Sequence, residues 1–194
     1  PALRSGAGAA PTKPAVAVWV GLALCALLAV AQVALGGYQV GVGNQSIQIA
    51  FVKAWANPGL FANDEMVRQT MPLYPSYFFR ALAPWVRAWG LDPVYLLLQL
   101  LTSYLTVAGV YVLGRSIFRS HAAALAGAAL VVLGHQTALA GDGLYSAGFT
   151  HTYFALPVAL FALALAYRRH MVWACVVCGV LFNIHALTAA YAVL

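Results

Sequence analysis

Residues 15–35 run without a single charged side chain, and comparable apolar runs recur through to the last residue. About 20 such residues cross a hydrocarbon core of ~30 Å at ~1.5 Å per residue. Inside that core only a helix or a closed barrel satisfies its own backbone. The runs here are continuously apolar and lack the in–out alternation of a membrane barrel. Hydrophobic residues make up 63% of the chain and charged residues 7%, where a soluble domain carries about a quarter charged. The expected fold class is all-α, a polytopic transmembrane helix bundle.

Residues 1–14, rich in Gly, Ala and Pro with Arg4 and Lys13, read as a disordered cytoplasmic tail. Five spans are expected at about 15–35, 93–114, 122–140, 153–167 and 171–194, with a long outer loop over 36–92. A signal peptide competes for the first run, but its apolar core would be only about 7–15 residues long, so an uncleaved span is preferred. The chain is expected to be the amino-terminal part of a longer protein, truncated at its carboxy-terminal end.

The long loop has its own pattern. Ile47, Phe51 and Trp55 recur every fourth residue, as on one helical face, and Asn57-Pro58-Gly59 ends that helix in a turn. Asn63 is placed to cap a short helix with Asp64 and Glu65 in its first turn. Pro72 and Pro75 break it. Ser76 then caps a helix whose Phe78, Phe79, Leu82, Trp85, Val86 and Trp89 make it amphipathic and suited to lie in the membrane interface.

Arg4, Lys13, Arg115, Arg119, Arg168 and Arg169 fall in the tail and the even-numbered connections. Counted over short connections, that bias marks the cytoplasmic side. The amino-terminus is therefore expected on the cytoplasmic side of the membrane. All four acidic residues, Asp64, Glu65, Asp92 and Asp142, then share the outer face. The net charge of +6 forms no basic stripe interleaved with aromatics, so nucleic acid is not an expected partner. Cys25, Cys175 and Cys178 lie in apolar runs and read as packing residues.

Several groups on the outer face carry chemical potential. Asp64 and Glu65 are adjacent carboxylates able to divide roles, one as base and one as positioning group or metal ligand. The same oxygens, with phosphates, suit a divalent ion such as Mg or Mn. The pair is equally consistent with a wet helix amino-terminus. Arg68, Arg80 and Arg87 suit a phosphate on a lipid carrier, or the headgroups of membrane lipids met by an interfacial helix. Asp142 between two glycines reads as a turn or a substrate contact, and His151 in T-H-T as a phosphate contact or an interfacial residue. His135 and His185 fall inside expected spans, where an ionisable side chain is either functional or bonded within the bundle.

The stretches GNQSIQIAFVKAW, NPGLFANDEMV and YPSYFF, after a short basic tail and one span, resemble the start of C-type (GT-C) membrane glycosyltransferases and bacterial multi-pass proteins related to them. That resemblance covers the first two spans and their loop. It implies an outer-loop acidic motif, here Asp64 and Glu65, as the catalytic group, and a sugar on a polyprenyl phosphate as donor. Arg68, Arg80, His135, Asp142 and His151 would then serve the substrate. A transporter or channel lined by His135, Asp142, His151 and His185, and a non-catalytic assembly subunit, are the alternatives.

Overall fold

The structure, a computed structural model, describes residues 14–74, 76–134 and 145–193. Among them it is all-helical, with no strand. In chain order the helices are α1 (Pro14–Gly36), α2 (Gln45–Ala56), α3 (Glu65–Thr70), α4 (Phe78–Trp89), α5 (Leu91–Phe118), α6 (His121–Leu133), α7 (His151–Tyr167), α8 (Met171–Ile184) and α9 (Ala186–Val193). A 3-10 turn, Met71–Leu73, follows α3 directly.

The long helix α5 is the axis of the molecule. It packs against α1, α6 and α7, and its start meets α4. Residue pairs give the directions. Gly21 lies under Tyr111, and Ser103 reaches Gln32, so α1 runs antiparallel to α5. Gly109 faces Leu160 and Arg168 reaches Ser116, so α7 runs parallel to it. One end of the bundle therefore gathers the starts of α5 and α7; the other gathers their ends.

Small side chains set the spacing. Cys25 and Ala29 of α1, Val107, Ala108 and Tyr111 of α5, and Ala124, Ala128 and Val132 of α6 form one buried cluster. Glycine and alanine let helix backbones approach closely, the packing mode favoured in membranes. A Cβ on Gly21 would sit 2.5 Å from Cζ of the buried Tyr111 ring. That ring is held in place by a 2.7 Å hydrogen bond between its hydroxyl and His121 Nδ1. One buried polar pair joins α5 to α1: the Ser103 hydroxyl donates to Gln32 Oε1 at 2.7 Å. The corner between α4 and α5 turns on Gly90, whose φ of 87° is open to glycine at no steric cost.

Two helices are long and apolar enough to cross a membrane, α1 over Val16–Gly36 and α5. Their 23 and 28 residues correspond to about 35 and about 42 Å at 1.5 Å per residue. The other expected spans have shorter helices. α6 ends at Leu133, and the rest of that run, with His135, lies outside the described residues. α7 has 17 residues, about 25 Å. The expected continuous fifth span is instead broken at His185 into α8 and α9. The outward faces of α1 and α8 are apolar, with Trp19, Leu27, Leu35, Val172 and Trp173 all more than half exposed.

Candidate functional site

The loop between α1 and α5 folds over the end of the bundle where α5 and α7 begin. Helix α2 buries Phe51 and Val52 against Phe79 and Val86 of α4 and against Val94, Tyr95 and Phe149 beneath. Arg87 of α4 donates through Nε to the Ala56 carbonyl at 2.8 Å. It thereby caps the carboxy-terminal end of α2, where a cation meets the negative pole of the helix.

A strap fixes the loop to the start of α7. Gln45 is fully buried. Its Oε1 accepts from the Gly41 backbone N–H at 2.7 Å, and its Nε2 donates to the Phe149 carbonyl at 2.6 Å. Beside it the Gln39 N–H donates to the Ala147 carbonyl at 2.8 Å. A Cβ on Gly148 would press on the Gln45 amide at 3.0 Å, so a glycine leaves room for the strap. Thr150 then caps α7, accepting from the Tyr153 N–H.

His151 is the first residue of α7 and only 4% exposed. Its ring packs among Phe79 at 5.2 Å, Tyr74 at 5.9 Å and His185 at 5.1 Å between centroids. Its Nε2 shares a 3.2 Å hydrogen bond with the Tyr74 hydroxyl, while its Nδ1 is buried with no partner among the described residues. Burial, with the His185 ring adding to it, pushes the His151 pKa down to about 4, so the imidazole is neutral at pH 7. Burial also raises the Tyr74 phenol, which therefore stays protonated and able to donate.

The break between α8 and α9 is built into the same place. His185 is extended, with φ −152° and ψ 100°. Its Nδ1 accepts from the Thr188 N–H at 3.2 Å and bonds the Thr188 hydroxyl at 2.8 Å, capping α9. The carbonyls of Asn183 and Ile184, which a continuous helix would have bonded, accept instead from the Ser76 hydroxyl at 3.1 and 3.0 Å. Ser76 also accepts from the Phe78 N–H at 3.3 Å, but the cap of α4 is Tyr77 rather than the expected Ser76; the serine ties the start of α4 to the break instead.

Beside these groups lies an open cleft of about 440 Å³, lined by Phe51, Trp55, Tyr74, Ser76, Phe79 and Arg80 among others. The Arg80 guanidinium stands 5.2 Å over the Trp55 ring, a cation–π contact. Of the residues singled out in the sequence, Arg80 lines this cleft, and His151 sits beneath it, bonded to its wall at Tyr74. Asp64, Glu65 and Arg68 stand on α3, one short element earlier, and are exposed. Asp64, not Asn63, is the cap of α3: its Oδ1 accepts from the Val67 N–H at 2.9 Å. Its extended backbone (φ −83°, ψ 112°) suits the cap position. Glu65 Oε1 accepts from Gln69 Nε2 at 2.8 Å. His135 and Asp142 lie outside the described residues.

No three His, Cys, Asp or Glu side chains gather among the described residues. Gln45, Tyr74 and the second role of Ser76 were missed by sequence reasoning. A signal existed for the first: Gln45, Gln48 and Phe51 stand three apart, on the buried face of α2. Comparison of the chain with protein-family models, with curated proteins and with solved structures finds no match.

Proposed function

We propose that this chain is the amino-terminal part of a polytopic membrane glycosyltransferase of the GT-C type, taking its sugar from a polyprenyl phosphate. Helices α6 to α9 join α1 and α5 as membrane elements, α4 lies in the interface, and the loop faces outward from a bacterial plasma membrane. The amino-terminus and the Arg115 and Arg168 connections face the cytoplasm. The observation that carries the reading is the cleft within the loop, walled by residues of α2, the 3-10 turn and α4. Aromatic walls suit a sugar ring, and Arg80 suits the phosphate of the lipid carrier, having no carboxylate partner among the described residues. The exposed apolar faces of α1 and α8 support the membrane setting.

In this reading Asp64 takes the proton of the acceptor hydroxyl as its oxygen attacks the anomeric carbon. The bond from that carbon to the phosphate oxygen breaks, and polyprenyl phosphate leaves with the electron pair. A single displacement inverts the anomeric centre. Glu65 positions the acceptor. The sharp test is Asp64→Asn, because asparagine keeps the cap on Val67 and removes the base. Transfer from a polyprenyl-phosphate sugar in membranes should fall by roughly 100-fold or more with protein levels unchanged. Full transfer by this variant would end the assignment.

A second reading draws on the break at His185. Discontinuous helices with polar groups at the break are the binding elements of many transporters, and His151 and His185 meet there. Solute uptake into proteoliposomes that is lost in His185→Ala would favour it over transfer.

A further inference from the structure

At the other end of the bundle, where α5 and α7 finish, lies a second cleft of about 530 Å³, lined by Arg115, Ser116, Arg119, Tyr167 and Arg168. We propose that it is a binding site for a phosphate-bearing anion, either the headgroup of an acidic lipid or a soluble phosphate. The proposal rests on α1 and α5 spanning a membrane and is independent of glycosyl transfer.

Three observations carry it. First, one guanidinium is positioned. Arg168 Nε donates to Ser116 Oγ at 2.8 Å, and that hydroxyl in turn donates to the Val112 carbonyl at 2.7 Å. Arg168 is thereby oriented by its inner nitrogen, while its terminal nitrogens bond no acceptor among the described residues. Paired terminal N–H groups are what a phosphate takes in bidentate fashion.

Second, the arginines are not consumed in closing the helices. The backbone does that itself: the Arg119 N–H donates to the Arg115 carbonyl at 2.9 Å, the Arg169 N–H to Ala166 at 2.9 Å, and the His170 N–H to Leu165 at 2.9 Å. Nor is there a countercharge at this end among the described residues. The described acidic residues Asp64, Glu65 and Asp92 all belong to the loop end, with Asp92 at the far end of α5 from Arg115.

Third, two of the arginines occupy backbone positions that suit glycine. Arg119 has φ 53° and Arg169 φ 64°, the only non-glycine residues with positive φ among those described. Helices commonly end on a left-handed residue, and glycine takes that place without steric strain. Arg119 lines the cleft and Arg169 directly follows its lining residue Arg168, so the ends of α5 and α7 trade backbone ease for a guanidinium group in the site and another beside it. A left-handed non-glycine residue is a pointer to function where the side chain has one.

Topology signalling alone would also place arginines at this end, so the test uses purified protein in an uncharged detergent, where orientation has no meaning. The full chain is titrated with dioctanoyl phosphatidylglycerol, dioctanoyl phosphatidylcholine and inorganic pyrophosphate, following the melting temperature and lipid retention by native mass spectrometry. Phosphatidylglycerol should be retained and should raise the melting temperature, while phosphatidylcholine does neither. Arg115→Gln with Arg168→Gln should weaken retention at least tenfold, and Lys53→Gln, exposed on α2 at the opposite end, should leave it unchanged. A response to phosphatidylglycerol alone assigns a lipid headgroup; a response to pyrophosphate as well assigns a site for soluble phosphates too. Arg119→Gly guards against misfolding, because glycine relieves the backbone there. It should melt no lower than wild type without ligand yet lose much of the ligand-induced shift. Equal retention of phosphatidylglycerol and phosphatidylcholine, or an undiminished shift in Arg119→Gly and in the double variant, would overturn the proposal.

Discussion

Replacing His151 by Phe tests how the loop end is held together. The imidazole has its pKa displaced from 6.5 to about 4 by burial and by His185. A histidine pKa lowered on folding means that the unfolded chain binds the proton first. Stability is therefore fully present above pH 6.5 and is lost as pH falls toward 4. At about 1.4 kcal/mol per unit, the displacement is worth roughly 2 kcal/mol between pH 7 and pH 5. For a chain of this size, about 2–4 °C of melting temperature per kcal/mol turns this into about 4–8 °C. His151→Phe keeps an aromatic ring among Phe79, Tyr74 and His185 and removes the titration. It leaves the Tyr74 hydroxyl without its partner, which lowers stability at every pH, so the informative quantity is the slope. Melting in detergent at pH 7, 6 and 5 should show wild type losing about 4–8 °C more than the variant. Parallel losses in the two proteins would refute the argument, because the remaining histidines are common to both.

Other perturbations probe the neighbouring contacts. Gln45→Glu replaces the donor on the Phe149 carbonyl with a buried carboxyl whose folded pKa must rise above ~4.3. That variant should be most stable in acid and lose roughly 1–3 kcal/mol as pH climbs to 7, a slope opposite to that of His151, read by the same melts. Gly21→Ala drives a methyl into the Tyr111 ring and should cost about 1–3 kcal/mol; unchanged melting would show that α1 and α5 can part without strain. Ser76→Ala strips the donor from the Asn183 and Ile184 carbonyls. Hydrogen exchange at Thr188 and Ala189 should then quicken roughly 5–30-fold, as 1–2 kcal/mol of local opening requires. Unchanged exchange there would mean that His185 holds the break alone.

What could be read from the sequence follows the range of the physics involved. Local periodicity of Ile47, Phe51 and Trp55 placed a helix where α2 stands, but its buried face runs through Gln45, Gln48, Phe51 and Val52, and Ile47 is exposed. The turn after it, the short acidic helix and the amphipathic α4 were likewise legible. Asn63 and Asp64 are both good caps, and only backbone geometry chooses between them. Hydropathy alone treated the last run as one span: Asn183 and His185 are too few to break a hydropathy window, and the break is made good by Ser76, 107 and 108 residues earlier. The enclosure of His151 was hidden for the same reason. Its partner Tyr74 lies 77 residues away, and nothing in T-H-T distinguishes a solvent-facing imidazole from one roofed by a distant loop.

The dependence of the loop on Asn183 and Ile184 also sets an order of events during synthesis. A ribosome adding ~5–20 residues per second takes on the order of 5–20 s to make the residues between Ser76 and its acceptors. Through the first part of that interval Tyr74 and Phe79 have Phe51 to pack on, while Phe149, His151 and Phe154, which they and Phe78 later meet, are still to be made. In the membrane setting proposed above, an amphipathic α4 gives them somewhere to wait, lying along the bilayer surface until the last helix arrives. The Ser76 contacts can form only once the broken helix exists, so in that proposed setting their formation doubles as a molecular record that insertion has reached α9.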